Sequence, residues 1–267
     1  MRKPWQIYNL PRPKSEASKG PLSLVYYEIY SGIVVPKKAF VVRFDGWSFH
    51  SLTKKLKFKE PFDKLFVNTL AKTTQQLFRF FNPDLGYIFS DEINLLFLKQ
   101  TSFRRIEKID SVFAALASSV FYSSLKKKFK EVPPVAFDCR VIPIGTKNIF
   151  KYFAWRQAEA FRNFNNAYAR YALMKGGMTA RGAAKKLAGV KTKELRKLIE
   201  QSGIDLKKLP PWQERGILIY WKYFKKIGYN PIKKRQVVTT RRKPIINWKP
   251  PNFNSLEGKK FFKMLIK

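Results

Sequence analysis

Apolar residues along this chain fall into two periods. KAFVVRF (38–44) is a short unbroken run of β-branched and aromatic residues and predicts a strand. GYIFSD and EINLLFLK predict two further buried strands, joined tightly near Asp91. Between the first strand and that hairpin, PFDKLFVNTLAKTTQQLFRFF (61–81) repeats its apolar residues at helical spacing, and Pro61 suits the first turn of a helix. RRIEKIDSVFAALASSVFYSSLKKKF (104–129) predicts a second long helix, and PVAFDCRVIPI (134–144) another strand. The order strand, helix, strand, strand, helix, strand is the split βαβ pattern, so the fold class expected over 21–145 is α+β and ferredoxin-like. Residues 1–20 read as an irregular arm, and LSLVYYEIYSG (22–32) has helical spacing.

After residue 145 the period becomes helical. KNIFKYFAWRQAEAFRNFNNAYARYALMKGG ends at Gly176-Gly177, a helix stop. Two short basic helices follow, and PWQERGILIYWKYFKK returns to a strand. The expected division is a helical region over 146–228 and a basic, proline-rich and aromatic tail or ordered arm over 229–267.

Three acids break this pattern. Asp45 ends one apolar run, and Asp91 and Glu92 interrupt another. A carboxylate taken from water is costly unless it is paired or bound to a metal. Two acids delivered by different strands predict a divalent metal site suited to phosphate chemistry, against the plainer reading of a strand-end acid and a turn acid. Glu92 alternates away from Asp91, which suits a supporting or RNA-side role as well as a structural one.

Composition places this pair in a cationic shell. The chain has 267 residues, with 54 Lys and Arg against 18 Asp and Glu, a formal net charge of +36. Such an excess favours a polyanion, because each neutralised phosphate releases counterions. A hyperthermophilic surface would raise Glu alongside Lys, and Glu is not abundant. Hydrophobic residues at 45% exclude a disordered basic tail protein. The one cysteine, Cys139, excludes an intramolecular disulfide and a cysteine zinc cluster and is expected to be a small buried residue in a reducing, cytoplasmic setting. No run approaches the roughly 18 apolar residues of a membrane span. The basic start lacks the apolar core of a signal peptide. His50 is the only histidine, so a histidine dyad is excluded.

Six motifs in order resemble the histidine-tRNA guanylyltransferase superfamily, and within it the archaeal-type tRNA 3'–5' polymerase-like proteins. They are VVRFDGWSFH (41–50), GYIFSDEINLLF (86–97), Arg104-Arg105-x-x-Lys108 with Ser111, AFDCRV (136–141), YFAWRQAEAFRNFNNAY (152–168) and GGMTARGAAKKLAG (176–189). The resemblance implies a polymerase- or cyclase-like palm with an added helical region, adding nucleotides to the 5' end of tRNA. It implies two magnesium ions at Asp45, Asp91 and the carbonyl of Gly46, with Glu92 in the catalytic group. A nucleotide pocket would include Asp45, Gly46, Trp47, Ser48, Phe49, His50, Ser90 and Asp91, with Arg105, Lys108 and Ser111 taking the triphosphate. Substrates would be ATP, GTP and other nucleoside triphosphates, the first step being activation of a 5'-monophosphate. Asn163, Asn165, Asn166, Lys185, Lys186, Lys191 and Lys193 would follow the tRNA acceptor end, and the assembly would be a homotetramer, a dimer of dimers.

The sequence also departs from the family pattern. Trp47 replaces an Arg, Lys59 is shifted from its expected place beside Pro61, and NFNN (163–166) replaces the His-Ile-Asn-Asn of enzymes that add one guanosine. The last change favours template-dependent repair of 5'-truncated tRNA over single-guanosine addition to histidine tRNA. A conventional palm nucleotidyltransferase or cyclase would explain the acids but not the Asn-rich helix. A non-catalytic RNA-binding protein would explain the charge but not the acids.

Overall fold

The computed structural model describes residues 33–35, 38–99, 101–232 and 234–266, and the expected arm (1–20) and helical stretch (22–32) lie outside them. The elements in chain order are β1 (Phe40–Trp47), α1 (Phe49–Lys55), α2 (Lys64–Phe81), β2 (Leu85–Phe89), β3 (Glu92–Phe97), α3 (Ile106–Lys126), β4 (Ala136–Pro143), α4 (Ile149–Lys175), α5 (Ala180–Leu187), α6 (Thr192–Gln201), α7 (Pro211–Arg215), β5 (Ile217–Asn230), β6 (Arg235–Asn247) and α8 (Leu256–Ile266). The fold is mixed α/β. Six strands form one antiparallel sheet in the order β4-β1-β3-β2-β5-β6.

Alternation along the strands gives the sheet two apolar faces. Phe40, Val42, Phe44, Ile93, Leu95 and Phe97 point to one side, where α2 and α3 cover them. The buried residues of α3 (Ile109, Phe113, Ala117, Phe121 and Leu125) lie at four-residue spacing, which makes one continuous stripe. Phe81 of α2 stacks on Phe113 of α3 at an interplanar angle of 12°. Val41, Leu85, Tyr87, Phe89 and Leu96 point to the other side and pack against the first half of α4, with Phe253 and Phe262 of the C-terminal segment. The second half of α4 leaves the sheet. Its Phe164, Tyr168 and Ala169 pack instead with Leu195 and Ile199 of α6. At 27 residues, α4 therefore joins the sheet to the helical region.

Three boundaries differ from expectation. Helix α2 starts at Lys64, not Pro61, because Asp63 caps it, accepting hydrogen bonds from the amides of Leu65 (2.6 Å) and Phe66 (3.0 Å). A five-residue helix, α7, precedes the returning strand. Residues 229–267 do not form a tail. Residues 237–240 are an unbroken β-branched run, Val-Val-Thr-Thr, and the segment 235–247 pairs with β5 from Leu218 to Asn230. The remainder forms α8, whose Phe262 is buried against Phe153 and Phe253.

Gly86 allows close contact between α2 and β2. A Cβ there would lie 2.8 Å from Cε2 of Phe78 and 3.3 Å from Cγ2 of Thr74. Gly86→Val is expected to destabilise the fold by about 1–3 kcal/mol through overpacking. Urea unfolding should then show a lower midpoint with an unchanged slope.

Candidate active site

The acids at the strand ends are brought together by register. Phe44 of β1 pairs with Ile93 of β3, and Phe89 pairs with Glu92 across a two-residue turn, Ser90-Asp91. Asp45 is the next residue of β1, so it lies at the same end of the sheet as that turn. Asp91 responds to this neighbour. Its carboxyl is held above the usual carboxylate range, by burial first and then by the charge of Asp45. The turn orders Asp91 locally, since the Ser90 hydroxyl donates to its Oδ1 at 3.1 Å. Ser90 (φ 51°) and Ser48 (φ 58°) both occupy the left-handed region, which non-glycine residues rarely adopt. Backbone strain thus brackets the two carboxylates.

Glu92 has another task. It is buried, and Arg156 of α4 grips it with both nitrogens, Nε to Oε1 at 2.9 Å and Nη2 to Oε2 at 2.7 Å. Asn94 Nδ2 donates to the same Oε1 at 2.8 Å, and Tyr152 donates to Asn94 Oδ1 at 2.6 Å. Glu92 therefore ties the hairpin to α4. Asp138, opposite Asp45 in the β1–β4 ladder, is held by Arg140 at 2.8 Å, two residues on and so on the same face of the strand. Cys139 is only partly buried, and burial pushes its thiol up.

A cleft of about 1150 Å³ opens from Asp91 and Ser90 toward the helical region. One wall carries Phe49, His50 and Lys54 of α1, then Lys59 to Asp63 before α2. The other carries Arg162, Asn163, Asn166 and Arg170 of α4, with Lys191 and Thr192 at the start of α6. The cleft thus brings predicted nucleotide residues and predicted RNA residues into one space. Phe49 is buried in its wall and stacks on Phe121. Gly46 is needed for this packing, because a Cβ at 46 would collide with the Phe49 ring. Lys59, whose shifted place left its role open, lines the same wall.

Other predicted residues lie elsewhere. Arg105, Lys108 and Ser111 stand at the start of α3, at the opposite end of the sheet from Asp91. The Ser118 hydroxyl binds the amide of Phe137, which pairs with Gly46, so it marks the level of the acid end. Arg105 lies thirteen residues earlier, about 20 Å along the helix. Its guanidinium meets Glu107 at 3.2 Å, and the Ser111 hydroxyl donates to the Glu107 carbonyl at 2.7 Å. Helix α3 begins where β3 ends, and β3 runs away from the turn, which explains the separation. Asn165 is fully buried, its Nδ2 donating to the Phe161 carbonyl at 2.7 Å, so it faces the helical core rather than RNA. Lys185, Lys186 and Lys193 are exposed outside the cleft. Trp47 is 71% exposed at the end of β1 and does not line the cleft, and Ser48 is exposed beside it.

Sequence reasoning did not single out Arg156, Asn94, Tyr152 or Gln157. Gln157 donates to the carbonyls of Arg215 and Pro251 and accepts from the amide of Phe253 at 2.7 Å. A signal existed. Tyr152 and Arg156 are one helical turn apart, and Asn94 and Glu92 are two apart on a strand, so each pair shares a face.

Two family models cover most of the chain. "Thg1: tRNAHis guanylyltransferase" matches residues 24–145, and "Thg1 C terminal domain" matches 147–249. The chain belongs to the tRNAHis guanylyltransferase family. It is a nucleotidyltransferase by membership. A probable tRNA(His) guanylyltransferase of Drosophila melanogaster is 30% identical over 196 residues, 70% of this chain and 68% of that one. The tRNA(His) guanylyltransferase of Debaryomyces hansenii is 29% identical over 204 residues, 71% and 76% of the two chains. Among solved structures, the Saccharomyces cerevisiae enzyme aligns with a TM-score of 0.64 at 25% identity, over 73% of this chain and 92% of that one. A bacterial Thg1-like protein in complex with ATP aligns at 0.69 over 90% and 96%; its 24% identity speaks to the fold alone. Among the described residues no helix is long and apolar enough to cross a membrane.

The Glu92–Arg156 pair is open to direct measurement. Arg156→Met leaves a buried carboxylate unpaired and is expected to cost about 3–5 kcal/mol. Glu92→Met with Arg156→Met should recover much of that loss in chemical denaturation, as an apolar pair of similar volume does. Equal losses in the single and double variants would place the energy in packing rather than in charge.

Proposed function

We propose that this enzyme adds nucleotides to the 5' end of tRNA by template-dependent 3'–5' polymerisation, repairing 5'-truncated tRNA. The observation that carries this reading is the shared cleft: Asn163 and Asn166, in the motif that departs from the single-guanosine enzymes, line the same space as Asp91. The sheet order β4-β1-β3-β2 supports the palm reading, since it sets the end of β1 beside the β2–β3 turn.

The donor set fits magnesium. Asp45 and Asp91 offer hard oxygens, and the charge of Asp45 acting on Asp91 is of the sign that a cation would relieve. Among the described residues no cluster of three or more His, Cys, Asp or Glu is gathered, so two carboxylates are what the side chains supply. Magnesium is held this way when phosphate oxygens and water complete its shell. Asp45, Asp91 and the Gly46 carbonyl would hold it, and it would supply charge neutralisation on the triphosphate and activation of the attacking hydroxyl. The rest is done by the chain. Lys54, Arg162, Arg170 and Lys191 around the cleft attract the phosphates of nucleotide and RNA. His50 stands at the cleft wall within the motif assigned to the nucleotide. Glu92 acts by holding the turn through Arg156. In this reading the 5'-monophosphate is joined to AMP or GMP with release of pyrophosphate, the 3'-hydroxyl of the incoming nucleotide then attacks the RNA's 5' phosphorus and expels that AMP or GMP, and a 5'-triphosphate end needs no activation and loses pyrophosphate instead. The homotetramer implied by the family pattern belongs to the same reading and is read by light scattering.

Asp45→Asn or Asp91→Asn is expected to abolish both activation and addition while tRNA binding persists, because affinity comes from distributed cations. Normal turnover in either variant, measured with labelled nucleotide, removes the site.

Template choice separates repair from single-guanosine addition. Truncated transcripts differing only at the base opposite the missing nucleotide are expected to direct G opposite C and U opposite A. Transcripts differing only in the anticodon are expected to perform alike, because phosphate contacts read no sequence. Addition of G whatever the template, or a preference for the histidine anticodon, would favour a dedicated guanylyltransferase.

A further inference from the structure

Beyond Tyr220, β5 and β6 leave the sheet. Strand β5 pairs with β2 only from Ile217 to Tyr220, while its pairing with β6 continues to Asn230. The result is a two-stranded ribbon, with Arg235 opposite Asn230 near its tip. Ile217 pairs with Ile88, three residues before Asp91, and the ribbon runs away from that end. Arg235 stands roughly 40 Å from the Ile88 level, at 3.3 Å per residue.

The ribbon has two unlike faces. Cross-strand partners share a face, so Lys222 with Lys243, Phe224 with Arg241, Lys226, and Arg235 all point one way. All of these side chains are exposed. The other face carries Tyr223, Ile227, Tyr229 and Val238, each more than 60% exposed. Arg242 on that face is held by Asn82 at 2.7 Å and by the Trp221 ring, whereas on the first face no ion pair is made among the described residues. Residues 217–249 contain no Asp or Glu. Like charges set directly opposite one another, as at Lys222 and Lys243, destabilise a ladder. Their retention without any counter-acid fits an external polyanion.

We propose that the cationic face of this ribbon binds the RNA backbone at a distance from the reacting end, so that one tRNA spans the cleft and the ribbon. The inference rests on the tRNA reading above and adds the surface that gives a long substrate its affinity. Lys226→Ala with Arg235→Ala and Arg241→Ala removes three phosphate contacts. The KM for full-length tRNA should rise about tenfold or more at physiological salt. The log–log salt dependence of tRNA affinity, measured by filter binding without nucleotide, should become shallower by about two to three. The value of kcat and the KM for the nucleotide should stay unchanged. A hairpin of about four base pairs, roughly 14 Å long at 3.4 Å per step, seats its 5' end in the cleft but falls short of these residues, the nearest of which, Arg241 opposite Phe224, lies about 23 Å beyond the Ile88 level. Its kcat/KM should be the same in both proteins.

Gln at the same three positions keeps an unbranched polar side chain without the charge and should reproduce the loss if the alanine variant proves unstable. Val238→Thr on the opposite face should leave tRNA affinity alone. Unchanged tRNA affinity in the cationic variants, or an equal loss with the hairpin, would overturn the proposal. So would a change of assembly size in Val238→Thr with the cationic variants behaving as wild type, which would make the ribbon a contact between copies. Failure of the repair reading looks different: the wild-type protein would then bind tRNA without extending it.

Discussion

One buried ion pair sets where everything else in the cleft can be. The β2–β3 turn holds Asp91, and the second half of α4 holds Asn163 and Asn166. Neither position is meaningful without the other, and Glu92 with Arg156 fixes their relation, 2.7 and 2.9 Å across a buried contact. A bidentate guanidinium defines angle as well as distance, which a point charge would not. Asn94 and Tyr152 extend the same network along one strand and one helical turn. Its members sit in a low-dielectric setting, so a half-satisfied version would be worse than none. Such a pair is weak evidence for stability in itself. Its value here lies in holding a strained turn against a helix that must then travel on to form the opposite wall.

Much of this was legible in the sequence, because its signals were periodic. Unbroken apolar runs marked β2 and β3, which are buried on both faces. Four-residue spacing marked α3, and Gly176-Gly177 marked the end of α4. The two acids were legible as interruptions of those runs. What failed was of another kind. Residues 235–247 carry cations at four of their thirteen positions, and the outer part of the ribbon they form, beyond Trp221, covers no core, so no hydrophobic alternation is demanded there. Composition read such a segment as tail. The start of α2 moved because a side-chain cap at Asp63 outranked the preference of Pro61 for a first turn.

Site assignment failed where it required direction. Arg105 and Lys108 are one turn apart near a helix start, a plausible anion site on spacing alone. Chain direction decides otherwise, since α3 departs from the end of β3 remote from the turn. Asn165 and Asn166 are adjacent in sequence, yet a helix turns about 100° between them. One is sealed in the core of the helical region and the other borders the cleft. Residue type and motif membership could not separate them, whereas helical phase against Phe164 and Tyr168 could.

The acids of a cationic chain can be sorted by what each one holds. Asp63 caps α2, and Asp84 accepts from the amide of Leu98 at 2.7 Å. Glu92, Glu107, Glu159 and Glu214 each hold an arginine. Asp110, half-buried, takes the amide of Val141. Among the partly buried acids described, Asp45 and Asp91 remain, neither tied to a cation by an ion pair, and the charge of Asp45 acts on Asp91 as well as on Arg140. With 54 Lys and Arg available, a neutralising partner would have been easy to place there. The two lie at one end of the sheet, beside two serines in the left-handed region, and only Asp91 reaches the cleft. Lys54, Arg162, Arg170 and Lys191 stand along the cleft wall and the ribbon's cations farther off, so the positive charge of this chain surrounds the two acids more than it pairs with them.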